Sequence, residues 1–204
     1  MPTAILVSLL ALLLPLSTTT VVATVILAIV QICLVWALTT RSWPIQPNLY
    51  GLRLPAMAHW RAALTSLFVL GASLGAIQLY VMGATYLGLD LLVPEDLPAD
   101  LLLPGRLSIL SIIALAVITP LAEEIFFRGF VLRGLVNRWG VVPGIILSAV
   151  VFAGLHFQPS IIFPVFVTGL LLGWLYWHTG SIWPGVGVHA GQNLIATLGV
   201  LIGL

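Results

Sequence analysis

The stretch RLSILSIIALAVITPLAEEIFFRGFVLRGLVNRW, residues 106–139, decides the fold that this chain can adopt. It is apolar up to Thr119, Pro120 permits a kink, and a helical pattern resumes through the adjacent acids Glu123 and Glu124. About 20 apolar residues are enough to cross the hydrocarbon core of a bilayer as a helix. The stretch therefore predicts a transmembrane helix, and its two carboxylates must face a bundle interior or a cavity because lipid penalises them.

The composition of the whole chain agrees with a membrane setting. Of its 204 residues, 61% are hydrophobic and 6% are charged, whereas a soluble domain carries about 25% charged residues. The formal net charge is +1, and no cluster of basic residues is present, which argues against nucleic-acid binding. The partner that the composition predicts is the lipid bilayer itself.

Further apolar runs predict the other membrane helices. Residues 3–16 and 20–39 form two helices or one long bent helix, and the sequence leaves that choice open. The remaining predicted helices cover residues 62–84, 143–157, 161–178 and 184–203. Together these runs predict an all-α fold, a polytopic membrane helix bundle of about six to seven transmembrane helices, and the acids within it predict a buried polar cavity.

Charged residues outside the spans predict the orientation of the chain. Two loops, residues 41–61 and 133–141, carry Arg without acids, whereas the loop between them carries four acids and one Arg. The positive-inside rule places the two Arg-bearing loops in the cytoplasm. We expect an integral protein of a prokaryotic cytoplasmic membrane, with its active site toward the cytoplasmic side.

The polar residues inside the predicted spans are few, and their spacing suggests partners. Arg128 lies four residues after Glu124, the favourable spacing for an ion pair on one helix face. Glu123 then points elsewhere, and His156 is its predicted partner, because both lie almost equally far along the chain from the hairpin apex at Gly140.

Three more polar or aromatic positions complete the predicted site. Phe152 lies one helical turn before His156 and would form a wall of the site, while His189 and Asn193 are four apart on one face. The Gly- and Pro-containing run GSIWPGVGVH, residues 180–189, predicts irregular backbone lining a cavity.

These residues carry a resemblance to a known family. The segments EEIFFR (123–128), FAGLH (152–156) and HAGQN (189–193) resemble, in order, the Glu-Glu-x-x-x-Arg, Phe-x-x-x-His and His-x-x-x-Asn motifs of the CAAX-protease and bacteriocin-processing family of intramembrane endopeptidases. The resemblance covers roughly residues 105–204, which would form the catalytic core, while residues 1–104 would supply N-terminal helices with interfacial and acidic loops of the same bundle.

The resemblance implies a reaction and a role for each residue. Glu123 and His156 would activate a water molecule that hydrolyses a peptide bond of a membrane-associated or lipidated protein, with Glu123 as general base. His189 and Asn193 would bind the oxyanion or complete the polar site, and the pair of Glu124 and Arg128 would hold the helix in register. Donors such as an amide and an imidazole suit a tetrahedral oxyanion.

Other interpretations use the same side chains. Glu123, His156 and His189 could instead hold Zn²⁺ with a position left for water, although the His-Glu-x-x-His signature is absent, and the metal-free version is preferred. A small transporter or proton-coupled carrier, or a catalytically silent immunity or scaffold protein of the same fold, are the alternatives to a protease. The oligomeric state does not follow from the sequence.

Overall fold

A computed structural model describes residues 13–40 and 50–203 of the chain. Of the first predicted helix, residues 3–12 lie outside the described residues, as does Arg41. The regular elements of the described residues are all helical, which confirms the all-α fold. The six main helices are α1 (Leu16–Thr40), α2 (His59–Tyr86), α3 (Gly105–Trp139), α4 (Val141–Gly154), α5 (Pro159–Thr179) and α6 (Trp183–Ile202).

Length and composition qualify most of these helices as membrane spans. In the described part of the chain, five helices are long and apolar enough to cross a membrane, and α4 is a shorter apolar helix. This agrees with the polytopic helix bundle that the sequence predicts, and the protein is an integral membrane protein. The apolar side chains that these helices leave exposed, such as Leu67, Phe68 and Leu79 on α2, are suited to contact with lipid.

Helix α3 differs from the regular kinked helix that the sequence predicts. Two segments of it, Ala114–Ile118 and Glu124–Leu132, are π-helical, and a short α-helical segment, Thr119–Glu123, lies between them. In a π-helix each N–H bonds to the carbonyl five residues earlier, so the turn is wider than in an α-helix. Pro120 lies just after the first π-helical segment, where its missing N–H leaves one helical bond unmade.

Two helix ends also differ from their predicted positions. Helix α4 ends at Gly154 and not at residue 157, because Phe157 has a positive φ of 52° and Gln158, before Pro159, is extended. Helix α6 already begins at Trp183. The irregular backbone predicted for residues 180–189 is therefore wrong over most of that run, since Pro184 is compatible with the first turn of a helix.

The chain divides into two compact units. The first unit contains the described residues 13–40, 97–123 and 189–203, and the second contains 50–96 and 124–188. One boundary falls in the loop between α2 and α3, and two others fall inside α3 and α6. The predicted division into residues 1–104 and 105–204 is a different one and stays a prediction.

In the first unit, α1 packs against the Ala114–Ile118 and Thr119–Glu123 segments of α3. The small residues Ala114, Ala116 and Ala122 are buried on α3, and Val35 is buried on α1. The acid-bearing part of α3 is therefore surrounded by protein. Lipid is as apolar as these side chains, so close packing of small residues is what holds the helices together.

In the second unit, α5 packs against both α4 and α2. Small residues make the α4 and α5 contact close, because a Cβ on Gly169 would lie 3.1 Å from Ala149 and one on Gly173 would lie 3.2 Å from Ile145. The two glycines are therefore packing residues, as their four-residue spacing predicts. A buried cluster of Val69, Leu172, Leu175 and Val188 forms part of the core.

Candidate active site

The first unit brings Glu123 and His189 together. The Oε2 atom of Glu123 lies 3.7 Å from Nε2 of His189, and the two residues are 9% and 7% exposed. A direct hydrogen bond would require about 2.7–3.2 Å. The two groups are therefore close enough to interact electrostatically, and their burial strengthens that interaction.

Asn193 lies one turn after His189, and its side chain bonds to a backbone carbonyl of α3 that has no helical donor. Thr119 N–H bonds to the Ala114 carbonyl in the π-helical pattern, so the next donor in that pattern would be residue 120. Because Pro120 has no N–H, the Leu115 carbonyl loses this donor. The Nδ2 atom of Asn193 donates to the Leu115 oxygen at 2.9 Å and so replaces the missing helical bond.

This contact gives Asn193 a structural task in addition to the predicted one. An amide nitrogen carries two N–H groups, and the Leu115 carbonyl uses one of them. The second N–H is the one that an oxyanion could use. The sequence contains no signal for the contact, because it depends on the π-helical register before Pro120.

In the second unit, Glu124 and Arg128 form the ion pair that the sequence predicts. Arg128 Nη1 lies 2.8 Å from Oε1 of Glu124, and the side chains are 1% and 0% exposed. Buried ion pairs of this kind depend on good geometry and on further polar contacts. Arg128 Nη2 also lies 3.5 Å from the Gly169 carbonyl oxygen on α5.

Phe152 connects this ion pair to His156. The guanidinium carbon of Arg128 lies 4.4 Å from the centroid of the Phe152 ring, a cation–π contact. The Phe152 ring is also 5.1 Å from the His156 ring, with an interplanar angle of 72°. The four-residue spacing of the Phe and the His therefore has a physical reason, because Phe152 contacts Arg128 and His156 together.

His156 lies just beyond the end of α4 and is held there by two hydrogen bonds. Its backbone N–H donates to the Ala153 carbonyl at 3.1 Å, and its Nδ1 lies 2.9 Å from the Phe152 carbonyl oxygen. A carbonyl oxygen can only accept, so Nδ1 carries the proton. In the neutral imidazole, Nε2 then has a lone pair with which to accept a proton or a hydrogen bond.

Gly185 on α6 borders the carboxylate of Glu124 in the second unit. A Cβ at residue 185 would lie 2.8 Å from Oε2 of Glu124. The sequence singled out the Gly-containing run but predicted irregular backbone for it. The glycine instead makes room for a buried carboxylate against a regular helix, and it is a residue that the sequence analysis did not place in the site.

Two of the predicted pairings differ in outcome. The pairing of Glu124 with Arg128 is confirmed. His189 lies beside Glu123 within the first unit, while the pairing of Glu123 with His156 stays a prediction. Among residues 13–40 and 50–203, no three His, Cys, Asp or Glu side chains are grouped so that they could hold a metal ion. The choice between the zinc and the metal-free version stays a prediction.

The fold and these contacts describe a polytopic membrane protein whose buried polar residues include an acid beside an imidazole and a carboxylate anchored by Arg. Residues 105–195 match the family model described as type II CAAX prenyl endopeptidase Rce1-like. The matched segment contains all three motifs. No curated protein and no solved structure gives a significant match to the chain.

Proposed function

We propose that the protein is a CAAX-protease-like intramembrane endopeptidase that hydrolyses a peptide bond in a membrane-associated or lipidated protein or peptide. The observation that carries the proposal is the match of residues 105–195 to the Rce1-like family, with the three motifs in order inside it. The apolar spans and the Arg-bearing loops support a site that serves substrates at the cytoplasmic side of the membrane.

Glu123 acts as the general base in this mechanism. It takes a proton from a water molecule while the water oxygen attacks the peptide carbonyl carbon, and it then delivers that proton to the leaving amine nitrogen. The burial of Glu123 supports this role, because exclusion of bulk water strengthens the interactions of the carboxylate with the reacting groups.

His156 is the second group in water activation. Its Nδ1–H is engaged by the Phe152 carbonyl, which leaves Nε2 as the atom that accepts a hydrogen bond from the attacking water. The contact of the His156 ring with Phe152 restricts its rotation. Arg128 and Glu124 serve this arrangement as positioning residues, since Arg128 also contacts the Phe152 ring.

His189 and Asn193 stabilise the tetrahedral intermediate. Their N–H groups are the donors proposed for the oxyanion, and such donors contribute most when they are held in place before the reaction. The bond of Asn193 to Leu115 holds one of the two side chains, and the approach of His189 to Glu123 couples the donor to the base.

The experiment is hydrolysis of a membrane-anchored reporter peptide by the purified full chain in detergent. Glu123→Gln and His156→Ala should each reduce kcat/KM by at least about 100-fold, the range for loss of a general acid or base. Glu95→Gln and His59→Ala are the matched controls, because both residues are exposed and lie outside the three motifs. The controls should keep wild-type activity.

Folding of each variant is checked by its unfolding temperature, so that loss of activity is not confused with loss of structure. Equal residual cleavage by wild type, Glu123→Gln and His156→Ala, all folded, would refute the proposed activity. Cleavage that survives His156→Ala but not Glu123→Gln would retain the base and remove His156 from water activation.

A further inference from the structure

A groove in the second unit lies apart from the three motifs in sequence. It has a volume of about 450 Å³ and is lined by Met57, Trp60, Arg61, Leu64, Thr65 and His178. These residues come from the segment before α2, the first turns of α2 and the last turn of α5. Because α2 begins and α5 ends here, the groove belongs to the level at which two candidate membrane spans leave the hydrocarbon.

The polar groups that line the groove are donors suited to an anion. Arg61 is exposed, and its guanidinium carbon lies 5.1 Å from the ring of Trp60, an arrangement that holds the side chain by a cation–π contact. The His178 ring stacks on Trp174 at 5.0 Å with an interplanar angle of 7°. Thr65 donates its hydroxyl hydrogen to the Arg61 carbonyl, so Arg61 and His178 supply the donors.

Among the described residues of the second unit, the carboxylates lie away from the positively charged Arg61. Asp90, Glu95 and Asp96 follow the far end of α2, a helix of 28 residues that is about 42 Å long at ~1.5 Å per residue. The remaining acid, Glu124, is buried and paired with Arg128. The described acids of this unit therefore do not neutralise the positive charge of Arg61 at the groove.

The two helix ends at the groove differ in their effect on an anion. The N-terminus of α2 has no side-chain cap, and the positive end of the helix dipole there favours negative charge. The C-terminus of α5 would disfavour it, but its carbonyls already have donors: Gly180 N–H bonds to Tyr176, and Ala56 N–H bonds to Thr179. Arg53 Nε also donates to the Gly180 carbonyl at 2.9 Å, so the carbonyls at this end of α5 already have donors, and Arg61 and His178 provide the polar groups of the groove.

We propose that this groove binds the anionic headgroup of a membrane phospholipid. The phosphodiester contacts Arg61 and His178, and the acyl chains run along the apolar side of α2 past Leu64. The occupant is a lipid and not a soluble phosphate, because exposed apolar side chains continue from the groove along α2, including Leu64, Leu67 and Phe68. A lipid satisfies the charge and the apolar surface together.

The test is lipid binding to the purified full chain, measured by native mass spectrometry during titration with phosphatidylglycerol or phosphatidylcholine. Wild type should retain phosphatidylglycerol at least about fivefold more tightly than phosphatidylcholine. Arg61→Gln should weaken phosphatidylglycerol binding about fivefold, as expected for one Arg at a membrane surface. Arg138→Gln is the matched control, because it removes the same charge from an exposed Arg at the end of α3 and should have no effect.

Each outcome decides the proposal. Equal affinity of wild type for the two lipids would overturn it without recourse to any variant, and so would equal losses in Arg61→Gln and Arg138→Gln. Displacement of phosphatidylglycerol by an equal concentration of soluble glycerol phosphate would identify a site for free phosphate and would also overturn it. Peptide hydrolysis by Arg61→Gln is measured in parallel in neutral detergent, where it should equal that of wild type.

Discussion

The bond from Asn193 to the Leu115 carbonyl leads to a prediction that separates a structural task from a catalytic one. The carbonyl lacks its helical donor because residue 120 is proline, and Asn193 Nδ2 supplies the bond at 2.9 Å. In Asn193→Ala the carbonyl loses this partner in an environment that is partly buried. We therefore expect a loss of stability as well as a loss of activity.

The magnitude follows from the cost of a buried acceptor without a donor. That cost is about 1–3 kcal/mol. For a chain of this length, 1 kcal/mol corresponds to about 2–4 °C in the unfolding temperature, so Asn193→Ala should lower the unfolding temperature by roughly 2–12 °C. Asn137→Ala is the matched control, because Asn137 is an exposed asparagine on α3, and it should change the temperature by less than about 2 °C.

The decisive comparison is a double-mutant cycle with Pro120→Ala. Alanine restores an N–H at residue 120, which can bond to the Leu115 carbonyl in the same five-residue pattern. Asn193→Ala should therefore cost at least about 1 kcal/mol less in the Pro120→Ala background than in wild type, a coupling of ordinary size for groups in contact. Peptide hydrolysis should stay low in both backgrounds, because the second N–H of Asn193 is lost in each.

The assay is thermal unfolding of the purified protein in detergent, followed by intrinsic tryptophan fluorescence. Equal costs of Asn193→Ala in the two backgrounds would refute the reasoning, because they would show that residue 120 and Asn193 do not share the Leu115 carbonyl. An unchanged unfolding temperature in Asn193→Ala itself would refute it as well.

Three further predictions concern the Glu124–Arg128 ion pair, the glycine that borders it and the metal dependence of the reaction. Arg128→Met leaves the buried Glu124 carboxylate without its cation and should lower the free energy of unfolding by about 3–5 kcal/mol. The double variant with Glu124→Gln should recover part of this loss. Thermal unfolding measures both variants, and equal unfolding temperatures for the two would contradict the expectation. Gly185→Ala places a Cβ 2.8 Å from the Glu124 carboxylate and should destabilise the protein by about 1–3 kcal/mol, while Gly187→Ala, with nothing within 4 Å, should be neutral or stabilising by about 1 kcal/mol. Peptide hydrolysis should survive chelation in a sample shown to be metal-free by elemental analysis, and loss of activity that returns with Zn²⁺ would contradict the metal-free mechanism.

Local patterns account for the features that the sequence predicts correctly. The spans follow from apolar length, since a run such as residues 62–84 has no other stable setting than a membrane, and α2 covers that run. The pairing of Glu124 with Arg128 follows from helical spacing alone, and the short distance between them confirms it. The motif order in residues 123–193 likewise depends only on the chain, and it leads to the family that residues 105–195 match.

Features that depend on distant segments were not predictable in this way. Equal distance from the hairpin apex predicts His156 as a partner of Glu123, and this pairing stays a prediction, because depth along a helix does not fix the direction around it. His189 is the imidazole that the structure brings to within 3.7 Å of Glu123 in the first unit. Arg61 and His178 carry no motif, and the groove between them appears only where α2 begins beside the end of α5.

The sequence by itself thus determined that the chain is a membrane helix bundle with two adjacent acids, one of them paired with Arg128, because hydrophobic length and four-residue spacing are local properties. Only the tertiary structure decided the π-helical register on either side of Thr119–Glu123, the bond of Asn193 to the Leu115 carbonyl and the proton-bearing nitrogen of His156. The physical reason is that a hydrogen bond extends about 3 Å and depends on direction, so its partner is set by how helices that are far apart in sequence pack together.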